Sequence, residues 1–462
     1  MRSLWLLLLF AAFAVLGTGV PFIATLGYEW VDTFRPQDVA FVILNQIPVA
    51  MIMGTVAVFS YLLMDRRYPP HPSLEAGLTL AMAAWITLSL TWAELPDPAW
   101  DKWNTVIKTI GFSIFVPYVI RSRVQIEAFV QTYVFSLAAN FVPFGIKTLI
   151  SGGGYGQNLG LEKGNAGLSE GGLLSTVCLM AVPLALHLSK HSQLIPRIKQ
   201  LGWGYWVAAA LAITTAIGTY ERSALIGMLV LGAYMWSHSR HKFAFGLAGI
   251  LMAGLVAVTT SNSWTERIST IGEFQTESSA YVRILVWKWT LEYTSTHPLG
   301  GGFMLYLIDH VEVPGTLDSP GFSQFGRAFH SIYFEVLGEQ GYPGLILFVL
   351  LAGSMLVKLR MLSKKVRPYP ELEWVVSLSD ALQSGLAVFL TAGAFVGIAY
   401  QPMFWYFIAM GVSLNAYVWR FEHPESKTSR ILRAISRRPG SIVPAPASRI
   451  AKPPSKPWIP GR

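Results

Sequence analysis

Residues 341–358 read Gly-Tyr-Pro-Gly-Leu-Ile-Leu-Phe-Val-Leu-Leu-Ala-Gly-Ser-Met-Leu-Val-Lys, with Lys358 as their only charge. A helix needs roughly 20 mainly apolar residues to cross the hydrocarbon core of a bilayer. Arg360, Lys364, Lys365 and Arg367 follow directly, and clustered cations mark the cytoplasmic end of a span. The stretch therefore reads as a transmembrane helix, and the same reading extends in both directions. It predicts an all-α polytopic membrane protein with about twelve spans. They lie near 4–27, 39–63, 74–92, 104–120, 124–150, 171–189, 203–219, 222–237, 243–260, 341–358, 379–400 and 402–420.

The whole composition agrees. Of 462 residues, 53% are hydrophobic and 13% charged, and mean hydropathy is +0.45. A soluble domain carries about 25% charge, so half the usual solubilising surface is missing. The 16 Trp and 26 Phe suit bilayer interfaces. The one cysteine, Cys178, has no partner for an internal disulfide and excludes a Cys-based zinc or iron–sulfur centre. Arg2 before a Leu-rich run imitates a secretory signal. It lacks a small-x-small cleavage site and a second apolar segment follows closely, so an uncleaved anchor is expected.

The loops fix an orientation. Placed on these spans, 25 of the 35 Lys and Arg fall on one side and 8 on the other, with Lys108 and Lys147 near helix ends. The cation-poor side carries Glu29, Asp32, Asp38, Glu94, Asp97, Asp101, Glu162 and Glu170. The positive-inside rule puts both termini in the cytoplasm. The net charge of +9 is then mostly topology signal plus a basic tail, and nucleic acid is not an expected partner. Residues 424–462, rich in Pro, Ser, Arg and Lys, read as a disordered cytoplasmic tail able to meet anionic headgroups. Residues 1–423 form the membrane domain.

One loop is out of proportion. Residues 261–327 make a 67-residue extracytoplasmic segment before the tenth span, and loops beyond about 15 residues are usually functional or disordered. This one holds Trp264, a predicted helix near 279–294 with Tyr281, Trp287, Trp289 and Tyr293, and the glycine run 300–302. A helix so aromatic suits the membrane surface, so chemistry is expected on the outer face.

Three polar features stand out there. Arg222 follows Glu221 at the start of the eighth span. Arg283 lies one turn before Trp287. His330 opens His-Ser-Ile-Tyr-Phe-Glu-Val-Leu-Gly-Glu-Gln-Gly, residues 330–341. Each also has a plain structural reading. An arginine at a helix end snorkels to headgroups, Glu221 is placed to pair with Arg222, and a lone histidine is more often a satisfied polar group than a catalyst. Gly341 and Gly344 suit a turn and close helix packing.

Taken together, Glu-Arg-Ser-Ala at 221–224, Arg283 with Trp287, His-Pro-Leu-Gly-Gly-Gly at 297–302, and His-Ser-Ile-Tyr at 330–333 with Glu339, Gly341 and Gly344 resemble the O-antigen ligase and polymerase superfamily. The resemblance covers about 165–420. Arg-Pro-Gln-Asp at 35–38 and Gly-Ile-Lys at 145–147 look like the ligase-like branch associated with exosortase systems. Where that family often has Ser-Arg-Gly, this chain has Glu-Arg-Ser at 221–223. The resemblance implies a membrane-embedded C-type glycosyltransferase. Such an enzyme moves a glycan from undecaprenyl diphosphate onto an acceptor, in the ligase branch a lipid A core sugar, without metal or cofactor and with inversion.

The residue chemistry suits that reaction. Diphosphate is a good leaving group when cations take up its charge, and arginine binds phosphate oxygens bidentately while staying ionised. The acceptor hydroxyl needs a base, and a positioned base contributes about 10²–10⁴-fold. His330, Arg283 and Arg222 are the expected catalytic set, with Arg327, Lys147, Trp287, Tyr333 and Glu339 as substrate-binding candidates. His297 and His310 are the other histidines of the loop. No Asp-x-Asp occurs in the outer loops, and Asp309 and Glu312 read as solvated. A polymerase and a protein O-oligosaccharyltransferase share the same motifs. A transporter or flippase is disfavoured, since it predicts midplane ionisable groups and matching halves. Oligomeric state is not encoded in these features.

Overall fold

A computed structural model describes residues 2–40, 43–65, 70–151, 170–195, 199–238, 278–313 and 322–424, with 168, 242, 246 and 426. Apart from Gly246, the predicted ninth span lies outside the described residues, as do Trp264 and the basic tail beyond 426.

The chain is an all-α polytopic membrane protein. Its helices are α1 (Arg2–Gly19), α2 (Pro21–Phe34), α3 (Pro36–Val39), α4 (Val49–Ser60), α5 (Leu74–Leu88), α6 (Pro96–Val119), α7 (Arg123–Ser151), α8 (Gly171–His191), α9 (Lys199–Gly218) and α10 (Arg222–His238). Then come α11 (Ser278–Thr296), α12 (Ile332–Val366), α13 (Glu373–Ala392) and α14 (Pro402–Glu422). Among the described residues six segments are long and apolar enough to cross a membrane: Arg2–Gly19, Leu74–Trp92, Arg123–Ile150, Gly171–His191, Ile332–Val366 and Pro370–Phe395.

Apolar patterning sorts these helices by position. α8 is apolar all round, as an interior helix should be, and is buried along nearly its whole length against α9, α10 and α13. α14 is likewise buried, from Pro402 to Leu414 without interruption. α1 instead exposes Leu4, Trp5, Leu8, Leu9, Val15 and Leu16, a surface that only lipid or a partner would cover. The two halves of the chain meet where α6 packs on α14 and α5 packs on α12.

Three departures from the sequence reading shape the site. The first span, expected as one run over 4–27, is two helices broken at Val20. Pro21 has no N–H to continue α1 and instead starts α2. The eleventh, expected to 400, leaves α-helix after Ala392 and runs irregularly from Val396 to Gln401, between Gly393 and Pro402. The outer loop also contains a sheet: β1 (His310–Val313) pairs antiparallel with β2 (Phe322–Phe325), His310 opposite Phe325. Strands this short carry too little alternation to announce themselves.

α12 is bent at Gly341, whose φ of 65° and ψ of −169° are not helical. A bend strands carbonyls, and buried carbonyls must find donors. They find them in the glycine run. Gly301 N–H donates to Gly338 O at 3.0 Å and Gly302 N–H to Glu339 O at 2.9 Å. The Trp85 indole donates to Gln340 O at 2.9 Å, and Tyr342 N–H donates to Pro298 O at 3.0 Å. A Cβ on Gly341 would strike the backbone of Leu299 and Pro298, and one on Gly300 would strike that of Gly341. The His-Pro-Leu-Gly-Gly-Gly motif is thus the clamp that holds the bend.

Candidate active site

The segment before the bend presents Glu335 and Glu339, one helical turn apart on one face. Both meet Lys102 of α6. Its Nζ lies 3.0 Å from Glu335 Oε1, and 2.8 and 3.0 Å from the two oxygens of Glu339. Glu339 is fully buried, and Met304 N–H donates to it at 2.9 Å. Glu335 Oε2 accepts from Ala399 N–H at 3.0 Å. Burial alone would lower the lysine's pKa; the carboxylates of Glu339 and Glu335 outweigh it and hold the ammonium charged, above its ordinary value. Phe303 and Tyr400 present their rings to the same ammonium at 5.6 and 5.0 Å.

Beside this cluster opens a cavity of about 230 Å³. One wall is Asp32, Arg35, Lys102, Thr105 and Thr109 from α2, the turn after it, and α6. The other is Glu335, the irregular stretch around Gly397, Ile398, Tyr400 and Gln401, and Pro402 and Met403 at the start of α14. Asp32 accepts from Tyr406 OH at 2.7 Å and Thr109 OH at 3.3 Å. Arg35 pairs with Asp38 at 3.5 Å.

The His330 backbone lies next to Gly397, one of the cavity's lining residues. Gly397 faces both Glu335 and the His330 backbone: a Cβ there would stand 3.6 Å from Glu335 Oε2 and 3.7 Å from His330 N. The imidazole Nδ1 is 3.7 Å from Glu170 Oε1, at the start of α8. Next to Glu170, Gly171 packs on the Glu221 carboxylate, 3.0 Å from its Cβ position, and Gly172 packs on Val396 and Ser223. The Glu-Arg-Ser turn is therefore brought to the His330 layer. Glu221 occupies the N-terminus of α8, where the helix dipole favours an anion. From the other side, Trp287 of α11 donates to Phe329 O at 2.8 Å and stacks on Phe334 with centroids 4.9 Å apart.

Four non-glycine residues among those described have positive φ: Arg35 (57°), Tyr220 (54°), Met304 (63°) and His330 (47°). One lines the cavity, one precedes Glu221, one holds Glu339, and one is the histidine itself. Such backbones cost about 1–3 kcal/mol each and persist where the surroundings over-determine them.

The remaining sequence candidates fall as follows. Arg283 is half-buried on α11 and makes no ion pair or side-chain hydrogen bond among the described residues. Arg222 starts α10, half-buried. Lys147 is exposed near the end of α7, next to Thr148, which packs on Gly218 of α9. Arg327 is exposed, and its backbone N–H donates to Asp309 Oδ1 at 3.0 Å. Tyr333 spends its hydroxyl on Leu390 O at 2.9 Å, tying α12 to α13. Glu339 is engaged by Lys102 and Met304.

Asp309 is not the solvated residue its loop position suggests. It is fully buried, and its Oδ2 has no partner among the described residues. Burial lifts its pKa to about 6, against the opposing pull of Arg327 and Gly326 N–H. His297 stacks on Tyr293 and His310 on Phe325. Among the described residues no three His, Cys, Asp or Glu converge as metal ligands would.

Lys102, Arg35, Asp32 and Glu335 are not among the site residues expected from sequence. Two signals could have found Glu335 and Lys102. Glu335 and Glu339 share a helix face and require a buried counter-charge, and Lys102 is an isolated cation on the acidic side.

Residues 1–193 match a family of unknown function (DUF5935), and residues 207–349 match the family described as O-antigen ligase. No curated protein matches the chain. Arg222, Arg283, His330 and Glu339 all fall within the second match, and Lys102 within the first. The match over residues 207–349 supports placing this part of the chain in the O-antigen ligase superfamily.

Proposed function

We propose that the protein transfers a glycan from undecaprenyl diphosphate to a lipid A core sugar at the periplasmic face of the inner membrane, with both termini cytoplasmic. The acceptor oxygen attacks the anomeric carbon from the side opposite the diphosphate, and its proton passes to His330. The bond from the anomeric carbon to the diphosphate oxygen breaks, and configuration inverts. Arg283 and Arg222 take up the departing charge, with Arg327 and Lys147 toward headgroups or outer sugars. Charge-assisted contacts contribute about 1.5–3 kcal/mol each and more where charge grows in the transition state.

The observation that carries this reading is the placement of His330. Its turn touches the α8 start bearing Glu170, is hydrogen-bonded through Phe329 to the helix bearing Arg283, and borders a polar cavity. A carboxylate beside Nδ1 orients an imidazole so that Nε2 faces the hydroxyl, the usual support for a histidine base. Arg283, with no protein partner among the described residues, is left to engage an anion.

The test is transfer by the purified protein in lipid, with a chelator present. Transfer should persist at full rate. Loss of all transfer, restored only by a divalent ion, would contradict the arginine-based account.

A further inference from the structure

We infer that the cavity between α2, α6 and Gly397–Met403 is the subsite for the acceptor's reacting sugar, so that the N-terminal region of unknown function supplies one wall of the active site. This rests on the transferase reading above.

The argument is one of charge and hydrogen-bond type. The lining carries two cations, Arg35 and Lys102, and two carboxylates, Asp32 and Glu335. Each cation is already matched: Arg35 by Asp38, Lys102 by Glu335 and Glu339. A diphosphate entering here would face carboxylates and find no uncommitted cation, at the cost of desolvating its own charge. A neutral polyol suits the same wall. Carboxylates accept from its hydroxyls, while Thr105, Gln401 and the ammonium donate to them. The buried Tyr400 hydroxyl, which has no hydrogen-bond partner among the described residues, lines the cavity too. Ile398, Pro402 and Met403 add an apolar patch for a ring face.

Size and position agree. At about 230 Å³, the cavity is smaller than the roughly 300–1,000 Å³ that takes drug-sized ligands, and it matches one sugar ring rather than a chain. Gly397, on its lining, packs against the His330 backbone and the Glu335 carboxylate, so the cavity lies next to the histidine's turn. The arginines that meet the donor approach from α10 and α11, on other elements.

Gly397 also provides the tool. Its Cβ position meets no atom closer than 3.6 Å, so Gly397→Ala adds a methyl at the cavity lining in ordinary van der Waals contact. Thr105→Leu adds bulk from the opposite wall and keeps helix propensity.

Two measurements on the full chain in lipid nanodiscs decide the matter. The first is saturation-transfer NMR with neutral monosaccharides (glucose, galactose, N-acetylglucosamine) and, separately, inorganic pyrophosphate as competitor. Wild type should transfer saturation to at least one sugar, both variants should lose that signal, and pyrophosphate should not displace it. The second is transfer kinetics, where both variants should raise acceptor KM about tenfold and leave donor KM within about twofold. Absent sugar signal in wild type, equal signal in the variants, displacement by pyrophosphate, or a change in donor KM alone overturns the inference. Sugar binding without any transfer would sink the transferase reading and leave the cavity assignment standing. Transfer indifferent to both variants would do the reverse.

Discussion

Lys102 Nζ stands 2.8 Å from Glu339 Oε1, an ion pair joining two residues 237 positions apart and two family regions. Removing one partner of a buried pair costs about 3–5 kcal/mol, because the other charge is left unpaired. Lys102→Met should therefore lower the thermal midpoint in detergent sharply. Adding Glu339→Gln to it should recover part of the loss, and Lys102→Ala should behave like Lys102→Met.

The bend in α12 gives a second prediction. Gly341→Ala places a side chain at φ 65°, costing about 1–2 kcal/mol from backbone conformation alone, and drives its Cβ into Pro298 and Leu299. The variant should be destabilised by more than that figure. Gly353, on the same helix with open space around its Cβ position, is the control. Gly353→Ala should be neutral or stabilising by up to about 1 kcal/mol, as read by melting of the two variants side by side.

Asp309 makes the outer loop pH-sensitive. Its pKa rises from 3.8 to about 6 in the folded protein, so between those values the folded state holds more protons than the unfolded one. Its contribution to stability is then full below about pH 4 and lost as pH rises through 6. Asp309→Asn keeps an acceptor for Arg327 N–H and carries no charge. The variant should melt above wild type at pH 8, and the gap should close by pH 4. A gap independent of pH would contradict the burial argument.

Trp287 acts on His330 through Phe329. Trp287→Phe keeps the stack on Phe334 and removes the donor to Phe329 O, a loss of about 1–3 kcal/mol if the carbonyl stays unsatisfied. We expect kcat to fall about tenfold or more through misplacement of the base while donor KM changes little. An equal rise in KM at constant kcat would instead make Trp287 a binding residue.

Much of this was legible in the sequence, for identifiable reasons. Apolar runs such as 341–358 report burial in lipid or protein directly, and two of the motif contacts are local to His330: Glu170 at the start of α8 lies 3.7 Å from it, and Trp287 donates to its neighbour Phe329. What escaped was relational. Lys102 stands out only as a cation on the acidic side, and nothing near Trp-Asp-Lys-Trp at 100–103 says which carboxylates, more than 230 positions away, it meets. Asp309 read as solvated because the four-residue strands next to it leave no periodic trace. The break at Val20 was hidden because hydrophobicity continues across Pro21 even though the helix does not.

The central claim is that His330 serves glycan transfer. The most direct test is a glycan immunoblot of the native host lacking the protein, complemented by wild type or by His330→Ala. The account predicts that the variant leaves the final acceptor bare while full-length glycan accumulates on undecaprenyl diphosphate. A fully active His330→Ala would contradict the assignment of the base, and single repeats on the acceptor with long chains absent would contradict ligation in favour of polymerisation.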